Sequence, residues 1–286
     1  MNRMSPEIIR EQIRKTRALT SRPFGVNAVP PCALAPGFES QLQVCLEERI
    51  PVLSLVWCDA APYVDRCHAA GILVMLAVGS ADEARRAAAS GVDIIVAQGW
   101  EAGGHVRGEV GLFPLLPTVV AAVSPTPVLA AGGIVNGRGL AAAISLGAEG
   151  VVVGTRFVAS AECEAHSDYK SRIVRARETD TVCGETFHIG WPSHSPHRTL
   201  RNALTDGAAP PSAPFARMQR GDQAIDIPPF SVIPPTIHTV GQTELMANYA
   251  GQGVGLVRDI LSAAAIVEQM VSEAEDTIRR LPALLA

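Results

Sequence analysis

Short apolar runs alternate along this chain with longer segments whose hydrophobic residues recur every three or four positions. The short runs are rich in Val, Ile and Ala, which is typical of strands buried on both faces of a sheet. The longer segments have the spacing of helices with one apolar face. The pattern predicts six strands, at residues 24–27, 52–56, 72–77, 93–96, 127–130 and 150–153. It predicts helices at residues 5–19, 38–48, 61–70, 80–91, 112–123 and 138–146.

The regular alternation of strand and helix, with short connections, predicts a parallel sheet. A repeat of about 20–40 residues without visible self-similarity fits a (β/α) barrel better than a solenoid. A TIM barrel has eight strands and about 250 residues, whereas six strands are predicted here. We therefore predict an α/β fold of the TIM (β/α)8 type that lacks the first one or two βα units. It should form a single domain over residues 1–286.

The second half of the chain has a different character. A helix is predicted at residues 168–178, and residues 181–235 are then rich in Pro, Gly, His and Ser. So long a connection favours a lid-like excursion over the barrel mouth, with little regular structure. A last helix is predicted at residues 254–282. Its buried face is expected to contain the residues at helical spacing, Leu256, Ile260, Ala264 and Val267.

Composition narrows the classes of partner. The net charge of −4 and the isoelectric point near 6.0 argue against nucleic acid or an anionic membrane. The six cysteines form no C-x-x-C pair, and no signal segment or membrane-spanning apolar run is visible. We therefore expect a cytoplasmic protein with free thiols. His188, His194 and His197 are expected to be loop residues rather than metal ligands, so no metal is predicted.

The strongest candidate for chemistry is the sequence A-Q-G-W-E-A-G-G-H at residues 97–105, which directly follows a predicted strand. The carboxyl ends of parallel strands are where α/β folds place their sites. Gly103 and Gly104 lack a Cβ, so a flat ligand can approach the backbone there. His105 offers a side chain that exchanges protons near neutral pH. The alternative is an ordinary histidine that caps the loop.

Two further glycine clusters follow the last two predicted strands. They read A-A-G-G-I at residues 130–134 and G-T-R-F at residues 154–157. In a barrel, loops at these positions offer backbone N–H groups to a phosphate. Gly133 and Gly154 permit a close approach, and Thr155 adds a hydroxyl. The alternative is that these glycines only terminate strands.

These segments together resemble the nitronate monooxygenase family, formerly called 2-nitropropane dioxygenases. The similar segments are A-Q-G-x-E-A-G-G-H, A-A-G-G-I-x-x-G-R-G, G-T-R-F-x-A-S-x-E and the later Y-A-G-Q-G-V-G-L. The resemblance implies an FMN-binding TIM barrel in which His105 is the general base. It also implies that Asn27, Gln98 and Gly103 contact the flavin. The phosphate-binding turns implied in this way are formed by Ala131, Gly132, Gly133, Ile134, Gly154 and Thr155.

The activity that the resemblance implies is the oxidation of alkyl nitronates or nitroalkanes with O2, with no nucleic-acid or membrane partner. Alternatives are an NAD(P)H:quinone or enoyl-ACP reductase of the same flavin barrels, or a shortened remnant without cofactor. Members of the family begin with a strand of the type P-I-x-Q-A-P-M, and nothing similar precedes Ser5. A barrel without that unit would have two exposed strand edges. We expect such a chain to fold poorly, to form a homodimer through the gap, or to fail to hold FMN.

Overall fold

Six parallel strands form the central sheet, and they lie side by side in the order in which they occur along the chain. A computed structural model describes residues 4–30, 37–211, 214–220 and 223–284. The strands are β1 (Gly25–Ala28), β2 (Val52–Leu55), β3 (Leu73–Val78), β4 (Ile94–Gln98), β6 (Val128–Ala131) and β7 (Gly150–Val152), while the two-residue strand β5 (Gly104–His105) belongs to a second sheet. All six predicted strands are therefore present, with ends shifted by no more than one or two residues.

Helices connect the strands, and their N-termini follow local capping chemistry. They are α1 (Pro6–Leu19), α2 (Phe38–Glu47), α3 (Ala61–Ala69), α4 (Ala81–Ala89), α5 (Leu112–Val123), α6 (Gly137–Ser145), α7 (Thr155–Val158), α8 (Ser167–Arg175) and α9 (Ala263–Arg280). Ser5 accepts a hydrogen bond from the backbone N of Ile8 ahead of α1, with Pro6 at the first helical position. Ser80 caps α4 in the same way. Along the described residues, no helix is long and apolar enough to cross a membrane.

The central sheet is a half-barrel rather than a closed one. β1 and β7 are its two edges, and within the described residues neither pairs with a further strand on its outer side. The core is continuous between the strands and the helices outside them, from Ile9 of α1 through Leu53 and Ile95 to Leu116 of α5. The prediction of a TIM-type barrel with fewer than eight strands is confirmed.

The prediction of little regular structure in residues 181–235 is wrong. The segment contains β8 (Thr181–Gly184), β9 (His197–Leu200), β10 (Ala216–Arg220) and β11 (Gln223–Ile227). β9 pairs with β5 and β8, while β10 pairs with β11 and with β12 (Thr239–Gly241). The four strands within the segment are only four or five residues long, so their alternation is too brief to stand out among the prolines and glycines.

The last helix begins later than predicted, and a different face of it is buried. A 3-10 helix occupies Gln252–Leu256, and α9 begins only after Ser262, which caps it by accepting from the backbone N of Ala265. The buried residues are Ile266, Met270 and Ala274. The predicted face is wrong because Leu256 and Ile260 precede the helix, and Val267 is half exposed. The helix predicted at residues 168–178 likewise ends earlier, at Arg175.

Gly137 at the start of α6 should be intolerant of a side chain. A Cβ there would lie 2.3 Å from the carbonyl oxygen of Met270 and 2.4 Å from the backbone nitrogen of Ala274, both on α9. We expect Gly137→Ala to lower the free energy of unfolding by roughly 1–3 kcal/mol, measured by denaturant titration. Gly184→Ala is the control, since its added Cβ has no neighbour within 4 Å. Equal stability of the two variants would contradict the packing of α6 on α9.

Candidate active site

The side chain of Gln98 fixes the loop that follows β4. Its Nε2 donates to the carbonyl oxygen of His105 at 3.0 Å, and its Oε1 accepts from the backbone N of Arg107 at 2.9 Å. His105 itself lies in β5, which pairs with His197 of β9. The loop is therefore held at its base by one amide and at its tip by a strand of the later segment.

Glu101 connects the same loop to two other parts of the site. Both of its carboxylate oxygens accept from the backbone N of Leu112, at 3.1 and 3.0 Å, and this caps α5 where Gly111 offers no side chain. Its carbonyl oxygen accepts from the backbone N of Gln252 at 2.9 Å. The chain near residue 252 is thereby bound to the loop after β4.

Glycines allow these loops to touch backbone to backbone. A Cβ on Gly103 would lie 2.4 Å from the nitrogen of Gly251, and a Cβ on Gly251 would lie 2.8 Å from the carbonyl oxygen of Glu101. A Cβ on Gly253 would lie 2.6 Å from the carbonyl oxygen of Gly133. Gly103 is thus required by loop packing, in addition to any approach of a ligand.

A cavity of about 360 Å³ lies between these loops at the carboxyl ends of β4, β6 and β7. It brings together nine of the ten residues proposed from the sequence, namely Gln98, Gly103, His105, Ala131, Gly132, Gly133, Ile134, Gly154 and Thr155. Sequence reasoning did not assign roles to other lining residues, such as Tyr249, Gly251 and Gly253. The signal for these three is the Y-A-G-Q-G motif itself, whose glycines face the cavity.

Asn27 is the exception among the proposed site residues. It lies on the edge strand β1, outside the residues that line the cavity. Its amide Nδ2 donates to the hydroxyl of Ser54 at 3.1 Å, across the pair of strands β1 and β2. The structure therefore does not bring Asn27 to the site, because two strands separate β1 from β4.

The turns after β6 and β7 both line the cavity. Gly132 and Gly133 have φ angles of +102° and +69°, which side chains other than glycine rarely adopt. Within the described chain, the backbone N–H groups of Gly133, Ile134 and Gly154 have no acceptor. The hydroxyl oxygen of Thr155 accepts from the backbone N of Gly251 at 3.0 Å, which leaves its own proton for a further acceptor. These donors suit an anion.

His105 is surrounded by rings. Its imidazole stacks on the indole of Trp191, with the ring centres 3.7 Å apart and the planes 15° from parallel. The rings of His197, Tyr249 and Trp57 lie at 5.3, 5.8 and 6.3 Å. Burial, and to a lesser degree the neighbouring His197, lower the pKa of His105 to about 3. The imidazole is therefore neutral at physiological pH, which is the form that can accept a proton.

His197 is also held neutral. Its side chain is buried, and its Nε2 accepts from the backbone N of Phe187 at 3.0 Å, a bond that a protonated Nε2 could not accept. Burial lowers the pKa of His197. His194 is almost fully exposed, so the two histidines do not converge. Among the described residues there is no group of three His, Cys, Asp or Glu placed to hold a metal ion.

The half-barrel, with a glycine-lined cavity at the carboxyl ends of its parallel strands, places the molecule among α/β proteins of the TIM-barrel type. The sequence pattern of the nitronate monooxygenase family matches residues 28–273. The chain therefore belongs to the nitronate monooxygenase family, whose members normally use FMN.

Proteins similar in sequence to this chain have names that refer to different activities. A protein of Mycobacterium tuberculosis named as a monooxygenase is 39% identical over 252 residues, which cover 87% of this chain and 66% of that protein. The (3aS,4S,5R,7aS)-5-hydroxy-7a-methyl-1-oxo-octahydro-1H-indene-4-carboxyl-CoA dehydrogenase of the same organism is 38% identical over 196 residues, covering 68% and 53%. The nitronate monooxygenase of Paraburkholderia phytofirmans is 30% identical, covering 97% and 85%. The chain thus spans only about half to two thirds of the first two relatives.

Two solved structures share the fold over almost the whole chain. FabK from Thermotoga maritima superimposes with a TM-score of 0.77 at 30% identity, covering 98% of this chain and 85% of that one. The nitroalkane oxidase of Streptomyces ansochromogenes gives a TM-score of 0.78 at 26% identity, covering 98% and 88%. Both similarities support the half-barrel as part of a TIM-barrel architecture.

The neutral His105 should make the protein sensitive to acid. In the unfolded chain its pKa is near the ordinary 6.5, whereas in the folded state it is about 3. Below pH 6.5 the unfolded chain therefore binds a proton that the folded chain does not. The stability is complete above that pH and falls as the pH drops toward 3. We expect His105→Asn to lose less free energy of unfolding between pH 7 and pH 5 than wild type does, by roughly 1–2 kcal/mol.

The control for this measurement is His194→Asn. The side chain of His194 is 92% exposed, and its φ of +57° is one that asparagine tolerates. Denaturant titrations at pH 7 and pH 5 should show that His194→Asn loses as much free energy of unfolding as wild type does. If His105→Asn also loses as much free energy of unfolding as wild type does, the imidazole of His105 is not buried in its neutral form.

Proposed function

We propose that this chain is an FMN-dependent oxidoreductase that oxidises alkyl nitronates and nitroalkanes with O2. The observation that supports this most directly is that the imidazole of His105 lines the same cavity as Gly133, Ile134 and Gly154, whose backbone N–H groups have no acceptor within the described chain. Such a cavity offers both a base and a set of donors for an anion. A phosphorylated flavin beside a substrate with an acidic C–H bond requires this combination.

The cavity suits FMN in size and in the chemistry of its lining. The volume of about 360 Å³ lies within the range of about 300–1,000 Å³ that is usual for ligand pockets. Gly133, Ile134, Gly154 and Thr155 would bind the phosphate through N–H and hydroxyl donors. A Cβ on Gly154 would meet no protein atom within 4 Å, so the space over this residue is free for a ligand. Gln98 and Gly103 would act by holding the loop of His105 against the cavity.

His105 would take the α-proton of a neutral nitroalkane. When bound, FMN supplies the oxidation of the resulting nitronate and the transfer of its electrons to O2. A nitronate has already lost this proton, so it does not need the base. The rings around His105 exclude water from one side of the imidazole, and this keeps the base neutral. The protein thus orients the substrate, removes one proton and shields the reaction from solvent.

A reductase or dehydrogenase of the same flavin barrels is the second candidate. It is favoured by the relative named as a CoA dehydrogenase and by the likeness to FabK. Consumption of NADH without oxygen, in the presence of a quinone or an enoyl thioester, would support this candidate. Consumption of O2 with a nitronate supports the first. Protein that cannot be loaded with FMN would indicate a remnant without cofactor.

A substitution at Gly154 tests whether the FMN phosphate binds at the turns after β6 and β7. Because the added side chain would enter free space, Gly154→Val should fold normally and occupy the place of the phosphate. We expect FMN affinity to fall at least tenfold, measured by flavin fluorescence titration of the purified protein. Gly184→Val, in β8 and with equally free space, should bind FMN as wild type does. Unchanged affinity in Gly154→Val would place the phosphate elsewhere.

The base is tested by comparing two forms of one substrate. His105→Asn should lower kcat/KM for the neutral nitroalkane by roughly 10²–10⁴-fold, and much less for the nitronate, because only the neutral form needs a proton removed. FMN content should not change. His194→Asn again provides the control. An equal loss on both forms would mean that His105 positions the substrate or flavin, and no loss on either would leave it a structural residue.

A further inference from the structure

The two nitrogens of the His105 ring have different surroundings. Nε2 has almost no exposed surface and no hydrogen-bond partner within the described chain. Nδ1 also has no partner there, but it is not buried in this way, and the ring lines the cavity. Nδ1 is therefore the ring nitrogen that is accessible from the cavity.

Three rings, which we call the aromatic cover, lie around His105: Trp57, Trp191 and Tyr249. Trp191 is the closest, since ring centres 3.7 Å apart and nearly parallel planes leave no room for a molecule between them. Trp57 stands at 85° to the imidazole. The indole nitrogens of Trp57 and Trp191 are buried without a partner, like Nε2 of His105. Two indole nitrogens and the adjacent imidazole nitrogen, all buried without a partner among the described residues, are costly to bury together, which points to a role in the site.

The two tryptophans of the aromatic cover contact residues other than His105. Trp57 has a φ of +60°, an uncommon angle for a bulky residue. The guanidinium of Arg107 lies 5.1 Å from the centre of the Trp57 ring, and it forms an ion pair with Glu83 at 2.8 Å. Trp57 and Trp191 also pack together against Val29. The rings are thus fixed by contacts that do not involve His105.

We propose that Trp191 is a positioning residue for His105, whose stacked indole keeps Nε2 against the aromatic cover and leaves Nδ1 as the nitrogen that accepts the substrate proton. The use of Nδ1 as a base rests on the proposed function. The stack itself does not, because it is a property of the protein without cofactor or substrate. The proposal requires that the neutral ring has its proton on Nε2, so that the lone pair of Nδ1 is free to accept a proton from the cavity.

Few charged groups act on this imidazole. His197 faces it from β9, and it is itself neutral. Tyr249 faces it from the chain beside the cavity, and its hydroxyl donates to the carbonyl oxygen of Val232. Arg107 lies across Trp57, and its charge is paired with that of Glu83. Removal of the indole would therefore act mainly by admitting water to Nε2, which raises the pKa of His105.

The test is a pH titration of the histidine rings by ¹⁵N NMR on the full chain, without flavin or substrate. The His105 signal is identified by its absence in His105→Asn. In wild type we expect no titration above about pH 4, a protonated Nε2 and an unprotonated Nδ1. Trp191→Ala should move the pKa upward by at least one unit, toward the ordinary 6.5, and mix the two tautomers. Trp191→Phe keeps a flat ring and should stay near wild type.

The pH dependence of kcat/KM, measured on flavin-loaded enzyme, gives a second test. In Trp191→Ala, kcat/KM for a neutral nitroalkane should fall with acid at the raised pKa of His105, while Trp191→Phe keeps the wild-type profile. A proton on Nδ1 in wild type, or an unchanged pKa in Trp191→Ala, would overturn the proposal. If the alanine variant does not fold, Trp191→Leu is the second test, because its side chain is too small to cover the imidazole as the indole does, and the pKa of His105 should again move upward. Inactive protein with the expected NMR result would refute the proposed function and support the positioning role.

Discussion

The site depends on one steric constraint, the contact of backbone with backbone between loops that are distant in the chain. Gly103 lies so close to Gly251, and Gly253 to Gly133, that a Cβ at these glycines would overlap main-chain atoms. The contact brings the chain near residue 252 against the loop after β4 and the turn after β6. The cavity exists because these three segments meet, and its glycines serve this packing as well as any ligand.

The site also depends on the exclusion of water from the imidazole of His105. An imidazole in this position stays neutral because a charge would lose its hydration, and no group among the described residues forms a hydrogen bond with its Nε2 to compensate. The rings that exclude the water come from different parts of the chain. Trp191 belongs to the segment predicted as a lid, and the strand pairing of β5 with β9 brings this segment to the site. The segment is therefore a wall of the site with a structure of its own.

The central half-barrel was predictable because its pattern is local and repeated. Each strand of the central sheet has a short apolar run beside an amphipathic helix, and strand ends were displaced by only one or two residues. Residues 181–235 and the buried face of α9 were predicted wrongly. Their strands are too short to show a period, and the phase of α9 is set by its cap at Ser262 and by α6.

The sequence by itself determined the order of strands and helices, the glycine-rich ends of β6 and β7, and the placement of His105 just after β4. These features follow from periodicity and from neighbours along the chain. Only the tertiary structure decided that Gly103 packs on Gly251, that Trp191 covers His105, and that Asn27 lies apart on the edge strand. Each of these depends on which distant residues come into contact, and contacts across the fold leave no periodic trace in a single sequence.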